Sequence, residues 1–304
     1  IPGVPGQAPG LPSQGRGVWR GDNPPHGAVF TVHLADVPKS PKDARRENAR
    51  EMDGDIPFPG WDELQAERRA GETRYYVDVT DASGNAVRRL SVPAKDGTHR
   101  VAWDMRGAPP DAVSIEMPGF RPPWYGDPQG ALYPPGSYSA QLVQVGSESV
   151  TEVGTAQGFS LKAVETLPAG SDPRVTSEFQ LAYVAAARRL EAVNETLNAM
   201  DERVKYLRKA MDEAPGASAE LHLRLDAFAA DVDRVRTDLY GNQAQQALSE
   251  FTAPGVASRI RNAGAALDTR VGPTQTQRES LAMGMEALGA IESRVRDLSD
   301  VRLK

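Results

Sequence analysis

The sequence predicts an α+β protein with two domains, an antiparallel β-sandwich followed by an antiparallel three-helix bundle. Between residues 27 and 163, short stretches of alternating apolar and polar residues are separated by turn residues, a pattern typical of antiparallel strands. From Asp172 onward, apolar residues recur at heptad spacing, which is typical of helices packed side by side. A length of 304 residues suits about two domains of ordinary size.

Residues 1–25 are dense in proline and glycine, so they are predicted to form an extended arm and neither a helix nor an inner strand. Two interpretations of this arm stay open. It is a linker, or it binds a partner protein through Trp19 and Arg20, because tryptophan and arginine are frequent interface anchors.

The β-sandwich domain is predicted to span residues 26–168 and to begin with a strand at "GAVFTVHL". A polar insertion at residues 38–70 interrupts the strands. Within it, "SPKDARRENAREM" and "GWDELQAERRAGE" predict two short exposed helices, the second with Asp62 near its positive end. The proline-rich "DGDIPFPG" between them predicts a loop.

The following strands are separated by turns. In "TRYYVDVTD", Tyr75, Val77 and Val79 fall on one face of the strand. "ASGN" predicts a turn in which Gly84 and Asn85 adopt positive φ angles, and "AVRRLSV" returns as the paired strand.

The rest of the predicted sandwich surrounds a long excursion. "THRVAWDM" predicts a strand with Val101 and Trp103 on one face. Residues 107–135 then form a proline-rich excursion from the domain. "GSYSAQLVQV" and "VTEVGTAQGFSLKA" predict the last two strands.

The helical bundle is predicted to span residues 172–304 and to contain three long helices with apolar stripes. The stripes are Ala186, Leu190, Val193, Leu197, Met200, Val204, Leu207 and Met211; Leu221, Leu225, Phe228, Val232, Val235 and Leu239; and Leu281, Met285, Leu288, Ile291, Val295 and Leu298. The short loop at residues 214–218 forces the first two helices to run antiparallel. The segment Val256–Leu267 is interpreted as an irregular crossover.

Charge and composition exclude several function classes. The formal net charge is −6, and neither side of residue 170 carries the basic surplus that binding to nucleic acid requires. The absence of cysteine excludes disulfides, thiolate nucleophiles and cysteine-based zinc sites. No apolar run predicts a transmembrane segment. Because the sequence starts at Ile1 without a signal-like segment, we expect a processed product or a fragment.

Several of these segments together resemble a known family. The combination of "GAVFTVHL", "VTDASGNAVRRLSVPAKDGTHRVAWDMR", "YPPGSYSAQLVQV", a long helical hairpin and "GPTQTQRESL" resembles the C-terminal region of bacterial sortilin-like, Asp-box (BNR) β-propeller proteins, often labelled glycosyl hydrolases. The part from Asp81 to Tyr138 also resembles the immunoglobulin-like (Ig-like) domain of flagellar hook-capping proteins. The resemblance covers the chain from Arg16 to its C-terminus.

The resemblance implies that the sandwich is Ig-like and that the protein is bacterial and exported, to the periplasm or the outer surface. It also implies that the chain is the tail of a propeller protein or has lost its propeller, because the Ser-x-Asp-x-Gly-x-x-Trp boxes are absent. A glycosidase-type site would lie on that absent portion, so the resemblance implies no catalytic residue in this chain.

Residues that could carry chemistry do not form a recognisable site. The four histidines, His26, His33, His99 and His222, lack the close spacing of metal ligands. Asp53 and Asp55 lack the remaining ligands of a calcium loop. The carboxylate pairs Glu63 with Glu67 and Asp231 with Asp233 are predicted to lie on solvated helix faces, where nothing raises a pKa for acid catalysis. We therefore predict no enzyme activity, no metal and no cofactor.

The strongest functional indication is an aromatic patch in the proline-rich excursion, "PGFRPPWYGDPQGALYPPG". The patch consists of Phe120, Trp124, Tyr125 and Tyr133. One interpretation is that these rings cap an end of the sandwich core. The other is that they form a contact surface for protein or sugar, since the prolines lower the entropy lost on binding. The helical methionines, Met200, Met211, Met283 and Met285, are predicted to fill the core.

Two functions from different classes fit this pattern. The first is a non-catalytic interaction module that scaffolds other proteins, for example as an extrinsic subunit on the periplasmic face of a membrane complex. The second is the accessory carbohydrate-binding domain of a β-propeller glycoside hydrolase, in which Trp124 and Tyr125 stack on sugar rings.

Overall fold

The computed structural model describes residues 26–111, 128–146, 149–163, 169 and 171–300. These residues contain seven α-helices and two antiparallel sheets, which confirms the predicted combination of helices with antiparallel strands. They divide into two compact units. The strand unit comprises residues 26–108 and 133–163, and the helix unit comprises the other described residues.

The strand unit contains six strands. They are β1 (Ala28–Leu34), β2 (Arg74–Asp81), β3 (Ala86–Val92), β4 (Gly97–Trp103), β5 (Gly136–Val145) and β6 (Val150–Leu161). Strands β1 and β4 form one sheet, and the other four form a second sheet in the order β3-β2-β5-β6. All pairs are antiparallel, as the alternating patterns and short turns predicted.

Side chains from both sheets share one apolar core in the strand unit. Tyr75, Val77 and Val79 all point into it, as their alternation predicted. Trp103 from the smaller sheet is fully buried at 0% exposure and meets Tyr138 of β5 edge to face, with ring centroids 5.3 Å apart. The two sheets are therefore held by large aromatic contacts.

The turn between β2 and β3 differs from its prediction at one residue. Gly84 has a φ of 82°, as expected, but Asn85 is not among the residues with positive φ. The carboxylate of Asp81 instead organises the turn, because it accepts hydrogen bonds from the backbone N–H of Ser83 and from both the backbone and side-chain N–H of Asn85. These bonds lower the pKa of Asp81, the side-chain bond from Asn85 most of all.

The polar insertion forms the two predicted exposed helices, α1 (Pro41–Glu51) and α2 (Trp61–Arg69). Ser40 caps α1 by accepting a hydrogen bond from the backbone N–H of Asp43. Asp62 lies in the first turn of α2, where the helix dipole favours a negative charge. Neither helix has a buried residue.

The helix unit contains five α-helices. They are α3 (Pro173–Glu213), α4 (Ala219–Tyr240), α5 (Gln243–Ala247), α6 (Val256–Gly264) and α7 (Gln275–Asp300), with a 3₁₀ turn at Ala265–Asp268. The predicted stripes of α3, α4 and α7 form the core of the unit. Two predicted core positions are exceptions: Leu207 is 38% exposed, and Met283 is 48% exposed because it lies off the face that carries Leu281 and Leu288.

The segment interpreted as a crossover is the helix α6, which lies in the core of the helix unit. Its buried residues are Val256, Ala257, Ile260 and Ala263. The backbone of α7 approaches α6 closely at Gly284, where a Cβ atom would lie 2.8 Å from Cγ1 of Ile260. Apolar periodicity does not predict this contact, because small residues carry a weak apolar signal while permitting the tightest packing.

We expect opposite effects from adding one methyl group at the two glycines of α7. Gly284→Ala should destabilise the helix unit by about 1–3 kcal/mol, because α6 must move to admit the Cβ. Gly289→Ala should stabilise it by about 0.5–1 kcal/mol, because no atom lies within 4 Å and alanine favours a helix. Urea denaturation of both variants tests this pair, and two changes of the same sign would contradict the α6–α7 contact.

Within the proline-rich excursion, predicted as residues 107–135, residues 109–111 and 128–132 belong to the helix unit, whereas residues 107–108 and 133–135 belong to the strand unit. The fully buried Gln180 of α3 explains this placement. Its Oε1 accepts a hydrogen bond from the backbone N–H of Leu132 at 2.7 Å. Its Nε2 donates to the backbone carbonyls of Ala266 at 2.8 Å and Thr269 at 3.2 Å.

Candidate functional site

Five of the six residues predicted to bind a partner lie outside the described part of the chain. Trp19, Arg20, Phe120, Trp124 and Tyr125 all lie outside the described residues, and their binding roles stay predictions.

Tyr133 is the one predicted partner-binding residue that the structure describes. It is half-buried and packs against the core of the strand unit. Its ring centroid lies 6.2 Å from that of Trp103 and 6.5 Å from that of Tyr138. This position corresponds to the interpretation in which the ring caps the core.

The titratable residues considered in the sequence do not converge in space. All four histidines belong to the described residues, and within that part of the chain no three His, Asp or Glu side chains lie close enough to hold a metal ion. Asp231 forms an ion pair with Arg234 on an exposed face of α4, as expected for a solvated helix surface. No helix in the described part of the chain combines the length and apolar content that crossing a membrane requires.

Glu67 is an exception to the prediction of a solvated carboxylate. Its side chain is only 8% exposed and forms a two-pronged ion pair with Arg45, one of whose bonds, Nη2 to Oε2, measures 3.0 Å. The hydrogen bond from Arg45 is the main cause of the lowered pKa of Glu67. Because a lowered pKa keeps the carboxylate charged, this residue joins α1 to α2 and is unsuited to act as a general acid.

An exposed apolar surface lies at the start of α2 and in the loop before it. We call Ile56, Phe58 and Trp61 the insertion patch. These side chains are 62%, 63% and 73% exposed, and Met52 at the end of α1 is 51% exposed. Large apolar residues clustered in this way are costly to leave in water, and such clusters mark contact sites on many proteins.

The local sequence explains why the insertion patch points outward. Pro57 and Pro59 restrict the backbone on both sides of Phe58. Gly60 then turns the chain into α2 with a φ of 85°, so that Trp61 is the first helical residue. The rings of Phe58 and Trp61 meet edge to face, with centroids 5.1 Å apart. This contact and the Arg45–Glu67 ion pair hold the patch in one geometry before any partner binds.

The sequence contains a signal for this patch. "DGDIPFPGW" places three large apolar residues among prolines, glycines and acidic residues, a context with no strand or helix to bury them. The prolines and glycines of this stretch predict the loop correctly, and its three large apolar side chains are the signal of an exposed apolar surface.

No family model, curated protein or solved structure matches this chain. The resemblance to the C-terminal regions of Asp-box propeller proteins and to the Ig-like domain of hook-capping proteins therefore stays a prediction. The function is therefore inferred from the geometry of the insertion patch.

Proposed function

We propose that this protein is a non-catalytic structural module that binds and scaffolds other proteins, with the insertion patch as a binding surface. The observation that carries this proposal is the exposure of Ile56, Phe58 and Trp61 on a segment already stiffened by prolines and an ion pair. Tryptophan and other aromatic residues dominate binding energy at protein interfaces. A preordered surface also loses little conformational entropy when it binds.

The scaffold in this proposal has two parts. The two sheets form an Ig-like β-sandwich, supported by their shared core around Trp103. The helices α3, α4 and α7 form a three-helix bundle into which α6 is inserted, supported by the core that all four helices share. Loops and helices projecting from such rigid bodies are well suited to present binding residues.

We further propose that the module is exported and acts as an extrinsic subunit on the periplasmic or outer face of a bacterial membrane complex. The support for this location is the sequence resemblance to exported propeller proteins. The acidic net charge of −6 bears on the partner, because it does not favour nucleic acid. The partner would then be a protein, and the module would need no cofactor.

Substitution in the insertion patch should weaken partner binding without changing the stability of the fold. We expect Phe58→Ala and Trp61→Ala each to weaken recovery of a protein partner by about tenfold or more, because hot-spot aromatic residues contribute at this level. The melting temperature should stay unchanged, since both side chains are exposed. Affinity purification of the full chain from its native cells, with quantitative mass spectrometry, measures the recovery.

Tyr206 provides a matched control, because it is also 73% exposed but lies on α3 in the helix unit. Tyr206→Ala should recover the same partners as the unsubstituted chain. Equal losses in all three variants would mean that the effect is not specific to the patch. Binding of the chain to a glycan array, lost in Trp61→Ala, would contradict the protein-binding function and favour the carbohydrate-binding alternative.

A further inference from the structure

The helical hairpin of α3 and α4 extends beyond Asp300, the last described residue of α7. Arg189 of α3 pairs with Glu292 of α7 through two bonds of 2.7 Å. Further along both helices, Leu298 borders the same cavity as Thr196, so the two helices run side by side in the same direction. At the end of α7, Leu298 and Ser299 lie beside the middle of α3, where Thr196 borders the same cavity. α3 continues to Glu213, and within the described residues no third helix accompanies it there.

The uncovered part of the hairpin forms an apolar groove. Its floor is a small core of Val204, Met211 and Leu225. Two adjoining cavities of about 640 and 390 Å³ lie along it and share Leu207 as a wall. Leu207 occupies a core position of the heptad stripe and is nevertheless 38% exposed. The groove therefore has the apolar lining that packing against one more helix requires.

Residues of α3 spaced seven apart lie along one edge of the helix and indicate which side chains a helix bound in the groove should present. Arg189 pairs with Glu292. Seven residues further along each helix, Thr196 and Ser299 border the groove together. After seven more residues comes Arg203, which also borders the groove and forms no ion pair with any described residue. The position opposite Arg203 suits an acidic residue, as Glu292 suits Arg189.

We propose that the groove between α3 and α4 beyond Asp300 binds an amphipathic helix of a partner protein, parallel to α3, with apolar residues against Leu207 and an acidic residue against Arg203. The groove continues an interface that α7 already makes with the same two helices, so it has the width of a single helix. A second copy of this chain fits less well, because the apolar stripes of its own α3, α4 and α7 are already packed in its core. This inference adds a second surface to the proposed interaction function.

A peptide based on α7 is the probe for this site, since α7 carries the matching pattern. The peptide has the sequence of residues 287–300 with Gly289→Ala to favour the helix, and a fluorescent label at its N-terminus. Fluorescence anisotropy measures its affinity for the full chain. We expect Leu207→Asp to weaken binding at least tenfold, and we expect Leu223→Asp, at an exposed leucine of α4 outside the groove, to leave it unchanged.

A charge exchange tests the orientation of the bound helix. Arg203→Glu in the protein and Glu292→Lys in the peptide should each weaken binding about fivefold, and the two together should restore it. A general loss of fold cannot produce this rescue. Equal affinity of the peptide for the unsubstituted chain, Leu207→Asp and Arg203→Glu would overturn the proposal.

Two further results would assign the groove to another occupant and also overturn the proposal. One is peptide binding that occurs only after residues 301–304 are deleted, because the chain's own end would then be the occupant. The other is a dimer in analytical ultracentrifugation that Leu207→Asp dissociates, because a second copy would then fill the groove. Neither result bears on the insertion patch, whose variants Phe58→Ala and Trp61→Ala are assayed separately.

Discussion

Replacing Trp103 with alanine should lower the free energy of unfolding of the strand unit by about 3–5 kcal/mol. The side chain lies on the smaller sheet, is 0% exposed and contacts two rings of the larger sheet, Tyr138 at 5.3 Å and Phe159 at 6.2 Å between centroids. Its indole N–H donates a hydrogen bond to the backbone carbonyl of Arg106 at 2.8 Å. Alanine would leave a large cavity and also remove this donor, so the two costs add.

Trp61→Ala is the matched control for this prediction. The same atoms are removed, but Trp61 is 73% exposed, so its loss should change the free energy of unfolding by less than about 0.5 kcal/mol. Urea denaturation followed by circular dichroism and tryptophan fluorescence compares the two variants. If they unfold at the same urea concentration, Trp103 does not hold the two sheets together and the shared core is wrong.

Replacing Gln180 with leucine should lower the free energy of unfolding of the helix unit by about 2–4 kcal/mol. Leucine is similar in size but cannot replace the three hydrogen bonds of the amide. The backbone N–H of Leu132 and the carbonyls of Ala266 and Thr269 would lose this partner in a site where Gln180 is 0% exposed. A buried polar group without a partner costs more free energy than a formed hydrogen bond contributes.

Hydrogen exchange of the Leu132 amide makes the Gln180 prediction specific. In Gln180→Leu this amide should exchange faster than in the unsubstituted chain, even under conditions where the helices stay folded. Gln245→Leu, at an exposed position of α5, should change neither the exchange of this amide nor the stability. An unchanged Leu132 exchange rate in Gln180→Leu would show that the amide is not held by this side chain.

The regular elements were predictable because their residue patterns are local. Tyr75, Val77 and Val79 alternate with polar residues, and all three are buried in β2 as expected. The apolar residues of α3, α4 and α7 likewise recur every three or four positions. At this spacing they lie on one face of the chain only if it is helical. Proline and glycine positions located the loop between α1 and α2, because these residues restrict or release the backbone wherever they occur.

The candidate site was less predictable, because exposure depends on what else is nearby. Ile56 and Phe58 are apolar, and their sequence context does not state whether another segment covers them. The sequence predicts that Glu67 is a solvated carboxylate, whereas the fold places Arg45 of α1 beside it. Leu207 fits the heptad stripe as well as its neighbours do, yet it is 38% exposed, which its spacing alone does not predict.

By itself, the amino-acid sequence determined the periodic elements of this protein, the turns between them and the absence of cysteine chemistry. The tertiary structure decided the roles of Gln180, Gly284 and Leu207. Local spacing sets which face of a helix or strand is apolar, since that depends on the geometry of one segment. Whether a given apolar face is covered, and how closely two backbones approach, depends on partners distant in sequence.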